Sequence, residues 1–245
     1  MSIPRLFTEA ALAEGAEFPA AEGQGAYLGQ VLRKRPGDAV RLFNGRDGEW
    51  EGVVAALARD RAVLRAERRI APQRGVPDIA LLLAVLKRDA MEAAVQAAAE
   101  LGAARILPVL AARSVPDRVN VARLSLIARE AAEQCERMEV PEVAAPLSFA
   151  AALDAWGARG APLFLAAERR GARPLLAAAA RCAPPLGLLV GPEGGFTGAE
   201  LDAALARPFV VPATLGPRIL RARTAVAAGL AVLMAAAGDW TPPEG

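Results

Sequence analysis

Leu186-Gly187-Leu188-Leu189-Val190-Gly191-Pro192-Glu193-Gly194-Gly195-Phe196 is the stretch on which the reading of this chain turns. A short apolar run opens into glycines set around one carboxylate, and a helix-like pattern from Thr197 to Ala206 follows. The arrangement recurs downstream, where Phe209 to Pro212 leads through Leu215-Gly216-Pro217-Arg218-Ile219-Leu220-Arg221 into another helix-like segment. Two strand–loop–helix units in tandem are expected to bring both loops to the carboxyl ends of neighbouring strands, where open α/β sheets bind ligands. The two loops are therefore expected to form one cofactor pocket.

Upstream the same alternation continues. Ile79 to Leu86 is a continuous apolar run, as a buried parallel strand should be. Asp89 to Leu101 reads as a helix ended by Gly102, Arg105 to Leu110 as a strand, and Val119 to Met138 as a long helix stopped by Pro141. Phe149 to Trp156 follows as a short helix, Leu163 to Ala167 as a strand, and Pro174 to Cys182 as a helix with proline in its first turn. Repeated β–α alternation predicts an α/β domain with a mainly parallel sheet covered on both faces.

Ahead of a Pro/Gly-rich break at Ala71 to Pro77 the texture differs. Val40 to Phe43 runs through Asn44-Gly45-Arg46-Asp47-Gly48 into Glu49 to Val54, a hairpin signal because Asn-Gly accepts positive φ. Arg61 to Glu67 is a further short strand, and Tyr27 to Arg33 a helical turn or more. Several short strands predict a small β-barrel over residues 1–72, followed by the α/β domain over residues 73–245.

Composition narrows the chemistry. The 245 residues include no histidine, which removes His triads, His metal sites and imidazole acid–base catalysis. Cys135 and Cys182 lie far apart in no metal-like spacing, so a reducing cytoplasm, buried thiols and no metal are expected. No apolar run reaches the roughly 20 residues of a membrane span, and Met1 to Phe7 lacks a signal pattern. The net charge of +2 permits a nucleic-acid partner without demanding one. The first loop has neither the P-loop Gly-Lys-Ser/Thr nor the GxGxxG fingerprint, and taken alone it is equally a tight strand–helix turn.

Taken together, Gly191 to Phe196 (GPEGGF) and Leu215 to Arg221 (LGPRILR) closely resemble the signatures of the RsmE family of 16S ribosomal RNA methyltransferases, in the SPOUT superfamily. The resemblance extends to Arg5-Leu6-Phe7, Val31-Leu32-Arg33, Phe43-Asn44-Gly45, Lys87 with Met91-Glu92, Glu100-Leu101-Gly102, Arg113-Ser114-Val115 and Glu133-Gln134 with Arg137. It implies a PUA-like RNA-gripping β-barrel before a SPOUT domain with a trefoil knot, a homodimer, and the cofactor S-adenosyl-L-methionine (SAM). The implied reaction is methylation of N3 of a uridine in the 16S rRNA of the 30S subunit. A SPOUT enzyme acting on another RNA such as tRNA, or a non-catalytic ribosome-assembly protein, are the competing readings.

On this resemblance Leu165, Gly191, Glu193, Gly194, Gly195, Leu215, Gly216, Ile219 and Leu220 form the cofactor site. Arg218 and Arg221 are the candidate catalytic residues, stabilising a uracil anion or holding phosphate. Glu193 is a candidate to orient SAM or act as a base, or to be purely structural. Arg33, Lys34, Arg35 and Arg137 are candidate RNA contacts, the first three also readable as a solvated charge run. The chain departs from the family where Thr-Glu-Thr/Ala usually follows the second loop: it has Ala222-Arg223-Thr224-Ala225, a cation in place of a carboxylate. It also carries Ala26 and Tyr27 where the family has histidines, and Ala97 in place of a lysine.

Overall fold

The structure is a computed structural model that describes residues 3–115, 118–167 and 172–240; Met1 and Ser2 of the amino-terminal stretch lie outside them. Contacts divide the chain into two units, Met1–Gly75 with Ala132–Val140, and Val76–Ala131 with Pro141–Gly245. The first unit thus takes in a short segment from far along the chain.

In the first unit, β1 (Arg5–Phe7), β2 (Glu17–Pro19), β3 (Ala39–Phe43), β4 (Glu49–Ala58) and β5 (Arg61–Ala71) form one sheet in the order β1-β3-β4-β5-β2. The β3–β4 hairpin is as expected: Phe43 pairs with Glu49 across Asn44–Gly48, and Gly45 and Gly48 take φ of 76° and 86°. The Asn44 side chain fixes this turn by accepting from the backbone N–H groups of Arg46 and Asp47. Register shifts along β4–β5 bend the long ribbon around a core that includes Leu6, Leu28, Val40, Leu42, Val54 and Leu64. The helical turn is α1 (Gln24–Ala26) continued by a π-helical turn over Tyr27–Val31, and it stops before Arg33, whose φ is 54°.

The second unit holds β6 (Ile79–Ala84), α2 (Arg88–Glu100), β7 (Arg105–Leu110), α3 (Val121–Gln134), β8 (Glu142–Val143), β9 (Leu147–Ser148) and α4 (Phe149–Gly157). It continues through β10 (Leu163–Ala166), β11 (Arg173–Pro174), α5 (Leu175–Ala179), β12 (Leu186–Val190), α6 (Gly198–Leu205), β13 (Val210–Thr214) and α7 (Ala222–Ala237). Residues Ala132–Gln134 at the end of α3 group with the first unit. The sheet runs β11-β13-β10-β12-β6-β7-β8, with β9 also on β7, and every pair is parallel.

Strands β6 and β12 are buried at every residue because helices cover both faces. Leu189 belongs to the core shared with α4 and α6, whereas Leu188 faces Gly229 of α7, so consecutive residues of β12 serve opposite layers. Gly229 and Gly187 are glycines for want of room. A methyl on Gly229 would lie 2.6 Å from Leu188 Cδ2, and one on Gly187 would lie 2.6 Å from the Trp156 ring.

Four expectations are corrected. The loops leave β12 and β13, which are not neighbours: β10 pairs with both, Leu163 lying opposite Gly187 on one side and Val210 on the other. The long helix ends at Gln134 rather than Met138, because Glu136 adopts φ of 63° and Arg5 captures the helix-end carbonyls. The helix expected over 174–182 is only Leu175–Ala179, since Pro174 has extended backbone and pairs with β13. The cysteines are not buried: Cys135 is exposed and Cys182 half-buried.

Candidate active site

The site is built by the carboxyl-end loops of β12 and β13 with the amino-terminal turns of α2 and α7. Together they line a cavity of about 860 Å³. From the first loop come Gly191 to Phe196, and from the second Leu215, Gly216, Arg218, Ile219, Leu220 and Arg221. Asp89 and Ala90 of α2, Ala166 and Ala167 at the end of β10, Thr214, and Ala222, Arg223 and Ala225 of α7 also line it.

The glycine loop owes its shape to both its glycines and its neighbours. Gly195 takes φ of 67° with open space where a Cβ would stand, and Gly195 N–H donates to the Pro192 carbonyl at 2.8 Å. A Cβ on Gly191 would sit 3.1 Å from the Phe196 ring, which packs back over that backbone and against Phe149 at 5.1 Å between ring centres. Arg113 Nη1 donates to the Gly194 carbonyl at 2.9 Å. Glu193 Oε1 accepts from the Lys87 backbone N–H at 3.3 Å, tying the loop to the start of α2.

Glu200 anchors the far side of this loop. Its carboxylate accepts from the Thr197 N–H at 2.8 Å and the Thr197 hydroxyl at 3.0 Å, closing a capping box on α6. It also accepts from Ala112 N–H at 2.7 Å, so one side chain holds the loop before Ser114 to the helix that follows the glycines. Partial burial pushes the Glu200 pKa up, but hydrogen bonds from the Thr197 and Ala112 backbone and the Thr197 hydroxyl, with the Arg113 charge, outweigh it. The net shift is downward.

In the second loop Gly216 takes φ of 113°, outside the range that side-chain-bearing residues tolerate, again with open space at its Cβ position. Thr214 pins the turn: its hydroxyl donates to the Gly216 carbonyl at 3.1 Å and accepts from the Gly216 N–H at 3.2 Å. Ile219 is 66% exposed, a large aliphatic side chain held at the cavity rather than in the core.

Of the expected cofactor residues, Gly191, Glu193, Gly194, Gly195, Leu215, Gly216, Ile219 and Leu220 line the cavity, as do Arg218 and Arg221. Leu165 does not. It is fully buried in the core beneath α4 and α6, while Ala166 and Ala167 after it form the wall. Arg33 and Arg35 are exposed and Lys34 is half-buried. Arg137 stands three residues past the end of α3 in the first unit, half-buried, its carbonyl accepting from Arg5 Nη2 at 3.2 Å. The lining residues that the sequence reading passed over include Asp89, Ala166, Ala167 and Thr214. Only Thr214 carried a local signal, a hydroxyl two residues before a Gly-Pro turn.

Among the described residues, no group of three or more Cys, Asp or Glu side chains is placed to hold a metal ion. No described helix is long and apolar enough to cross a membrane.

Comparison with known proteins agrees with the geometry. Residues 74–234 match the RNA methyltransferase domain family, and residues 22–67 the RNA methyltransferase PUA domain. Ribosomal RNA small subunit methyltransferase E of Synechocystis is 34% identical over 85% of this chain and 70% of its own length. The enzyme of the same name from Mycobacterium bovis is 32% identical over 89% of this chain and 86% of its own length. The crystal structure of a ribosomal RNA small subunit methyltransferase E from Neisseria gonorrhoeae, bound to S-adenosyl methionine, superposes with a TM-score of 0.87. It covers 98% of this chain and 100% of its own, at 28% identity. A glycine-loop cavity of this construction, with domain matches over most of the chain, makes it a member of the RsmE family of ribosomal RNA methyltransferases.

Proposed function

We propose that this protein is a SAM-dependent methyltransferase acting on N3 of a specific uridine in 16S rRNA, with the 30S subunit as substrate. The observation that carries the reading is that both signature loops line one cavity. The residues present suit SAM. Positive-φ glycines with open space above them let backbone approach a ligand, and Leu215, Ile219, Leu220 and Ala167 offer apolar surface for an adenine. Asp89 and Glu193 give the same cavity two carboxylates to face a cationic ligand.

SAM supplies a methyl group on a positively charged sulfur. The chain's own residues position and stabilise. Gly191, Gly194, Gly195 and Gly216 hold the donor through backbone contacts, so alignment of donor and acceptor supplies much of the rate. Arg218 and Arg221 stabilise the negative charge that uracil acquires as N3 gives up its proton to water. In this reading the first unit grips RNA, with Arg33, Lys34, Arg35 and Arg137 contacting phosphates. The trefoil knot, the homodimer and the cytoplasmic location belong to the same proposal.

The test is methylation of 30S subunits from a strain lacking the gene, with mass spectrometry of the rRNA nucleosides. N3-methyluridine is expected, and its absence overturns the N3 assignment. A second reading, a binding protein without turnover, is favoured by Arg223 standing where the family carries a carboxylate. Calorimetric titration with SAM separates the two, since heat of binding is expected only from an intact pocket.

A further inference from the structure

The cavity carries charges of both signs. Its lining carries two carboxylates, Asp89 and Glu193, and three guanidinium groups, Arg218, Arg221 and Arg223. All three arginines are exposed, and among the described residues none forms an ion pair or a side-chain hydrogen bond. Elsewhere the chain pairs its surface arginines readily, as in Arg68–Glu51, Arg88–Glu92, Arg105–Glu142 and Arg207–Asp154.

Arg223 is the least expected of the three. It occupies the first turn of α7, which contains no acidic residue, so its charge opposes the helix dipole where a carboxylate would be favoured. The position therefore works against helix stability. Its placement becomes favourable only when an anion arrives. SAM is a poor candidate for that anion: with a sulfonium, an ammonium and one carboxylate it is cationic overall, and three arginines around it would repel it. A phosphate polyanion suits three exposed cations that line one cavity.

We infer that Arg223 is an RNA-phosphate contact on the lining of the SAM cavity, holding the backbone beside the target nucleotide while Arg218 and Arg221 serve the uracil. This rests on the methyltransferase reading above and extends it to a residue that the proposed reaction leaves without a role. Asp89 and Glu193 then serve the cationic cofactor and the arginines the RNA.

The experiment measures equilibrium binding of unmethylated 30S subunits to the full-length protein across a salt series, for wild type, Arg223→Lys, Arg223→Gln and Arg223→Glu, with SAM affinity measured in parallel. Losing one phosphate contact should lower the slope of log affinity against log salt by about 0.7–0.9 in Arg223→Gln. Affinity at fixed salt should fall several-fold in Arg223→Gln, further in Arg223→Glu, and recover in Arg223→Lys. SAM affinity should be no weaker in any variant. Weaker SAM binding with an unchanged salt slope would overturn the inference and assign Arg223 to the SAM carboxylate. An unchanged slope with unchanged SAM binding would overturn it too, leaving a solvated side chain. Because the readout is binding, it still decides the role of Arg223 if wild type proves unable to methylate, an outcome that would sink the enzymatic reading instead.

Discussion

Two sets of arginines in this molecule are used in opposite ways. In the first unit, Arg5 is 8% exposed and its guanidinium is fully engaged. It pairs with Glu49 at 2.7 Å, donates to the carbonyls of Ala132, Glu133 and Arg137, and lies 4.6 Å from the Phe43 ring centre. In the second unit, Arg218, Arg221 and Arg223 stand exposed around a cavity with no partner among the described residues. A planar fork of donors closes a helix end in the first case and stands open to solvent at a cavity wall in the second.

The strongest way to break that contrast is to remove Arg5. The last carbonyls of α3 have no intrahelical partners, and Arg5 supplies the donors they lack. Arg5→Ala would strand those carbonyls and leave the mostly buried Glu49 carboxylate without its 2.7 Å partner. Breaking a buried pair from one side costs about 3–5 kcal/mol. Amide exchange protection in β1 and β3 should fall by about that amount, with β6 and β12 as internal reference. Arg5→Lys should lie between, because one ammonium can meet Glu49 but cannot reproduce the fork. Protection in β1 unchanged by Arg5→Ala would show that the guanidinium is not what fixes Ala132–Val140 in this unit.

A smaller effect is expected at the cavity. Gly216→Ala places a methyl group in open space but forces a side-chain-bearing residue to φ of 113°. Relaxing that strain should cost about 1–2 kcal/mol and shift the carbonyl and N–H that Thr214 holds. SAM affinity should then drop about tenfold, alongside a loss of stability of the size of that strain. The complementary core change, Gly187→Ala, drives a methyl group to 2.6 Å from the Trp156 ring and should act on stability alone, lowering it by about 1–3 kcal/mol without a direct effect on SAM.

These positions also mark what the sequence made legible. The strands β6 and β12 were readable because parallel strands covered on both faces are apolar throughout, and the Asn44–Gly48 turn because Asn-Gly announces positive φ. The same uniformity hid which way Leu165 points: in a strand apolar on both faces, no alternation distinguishes core from cavity. The order β12-β10-β13 was equally hidden, since the pairing of β10 with both neighbours depends on residues remote in sequence. Arg5 lies 127 residues from the carbonyl of Ala132 that it caps, and nothing local to either end predicts the bond. The paired signatures located the cavity because each loop carries its own glycines, whereas Asp89, Ala166 and Ala167 reach it only through the fold.

The smallest predicted effect concerns Glu200, which sits between the two extremes: a charged group fully engaged, yet engaged in holding the glycine loop. Its folded-state pKa is depressed, so its contribution to stability is fully present above the unfolded value, roughly 4.3, and is lost as pH falls through the folded value. Protonation would put a hydrogen on a carboxylate that receives the Thr197 N–H, the Thr197 hydroxyl and the Ala112 N–H. Glu200→Gln removes the charge from all three bonds while keeping one acceptor oxygen. It should cost about 1 kcal/mol near neutral pH. The difference between wild type and Glu200→Gln should shrink as pH drops below about 4.3, because wild type then loses the same charge. A difference that stays constant down to the acid limit would mean that Glu200 holds the loop by shape and not by charge. In that case the engaged carboxylate contributes no more than a neutral hydrogen bond would.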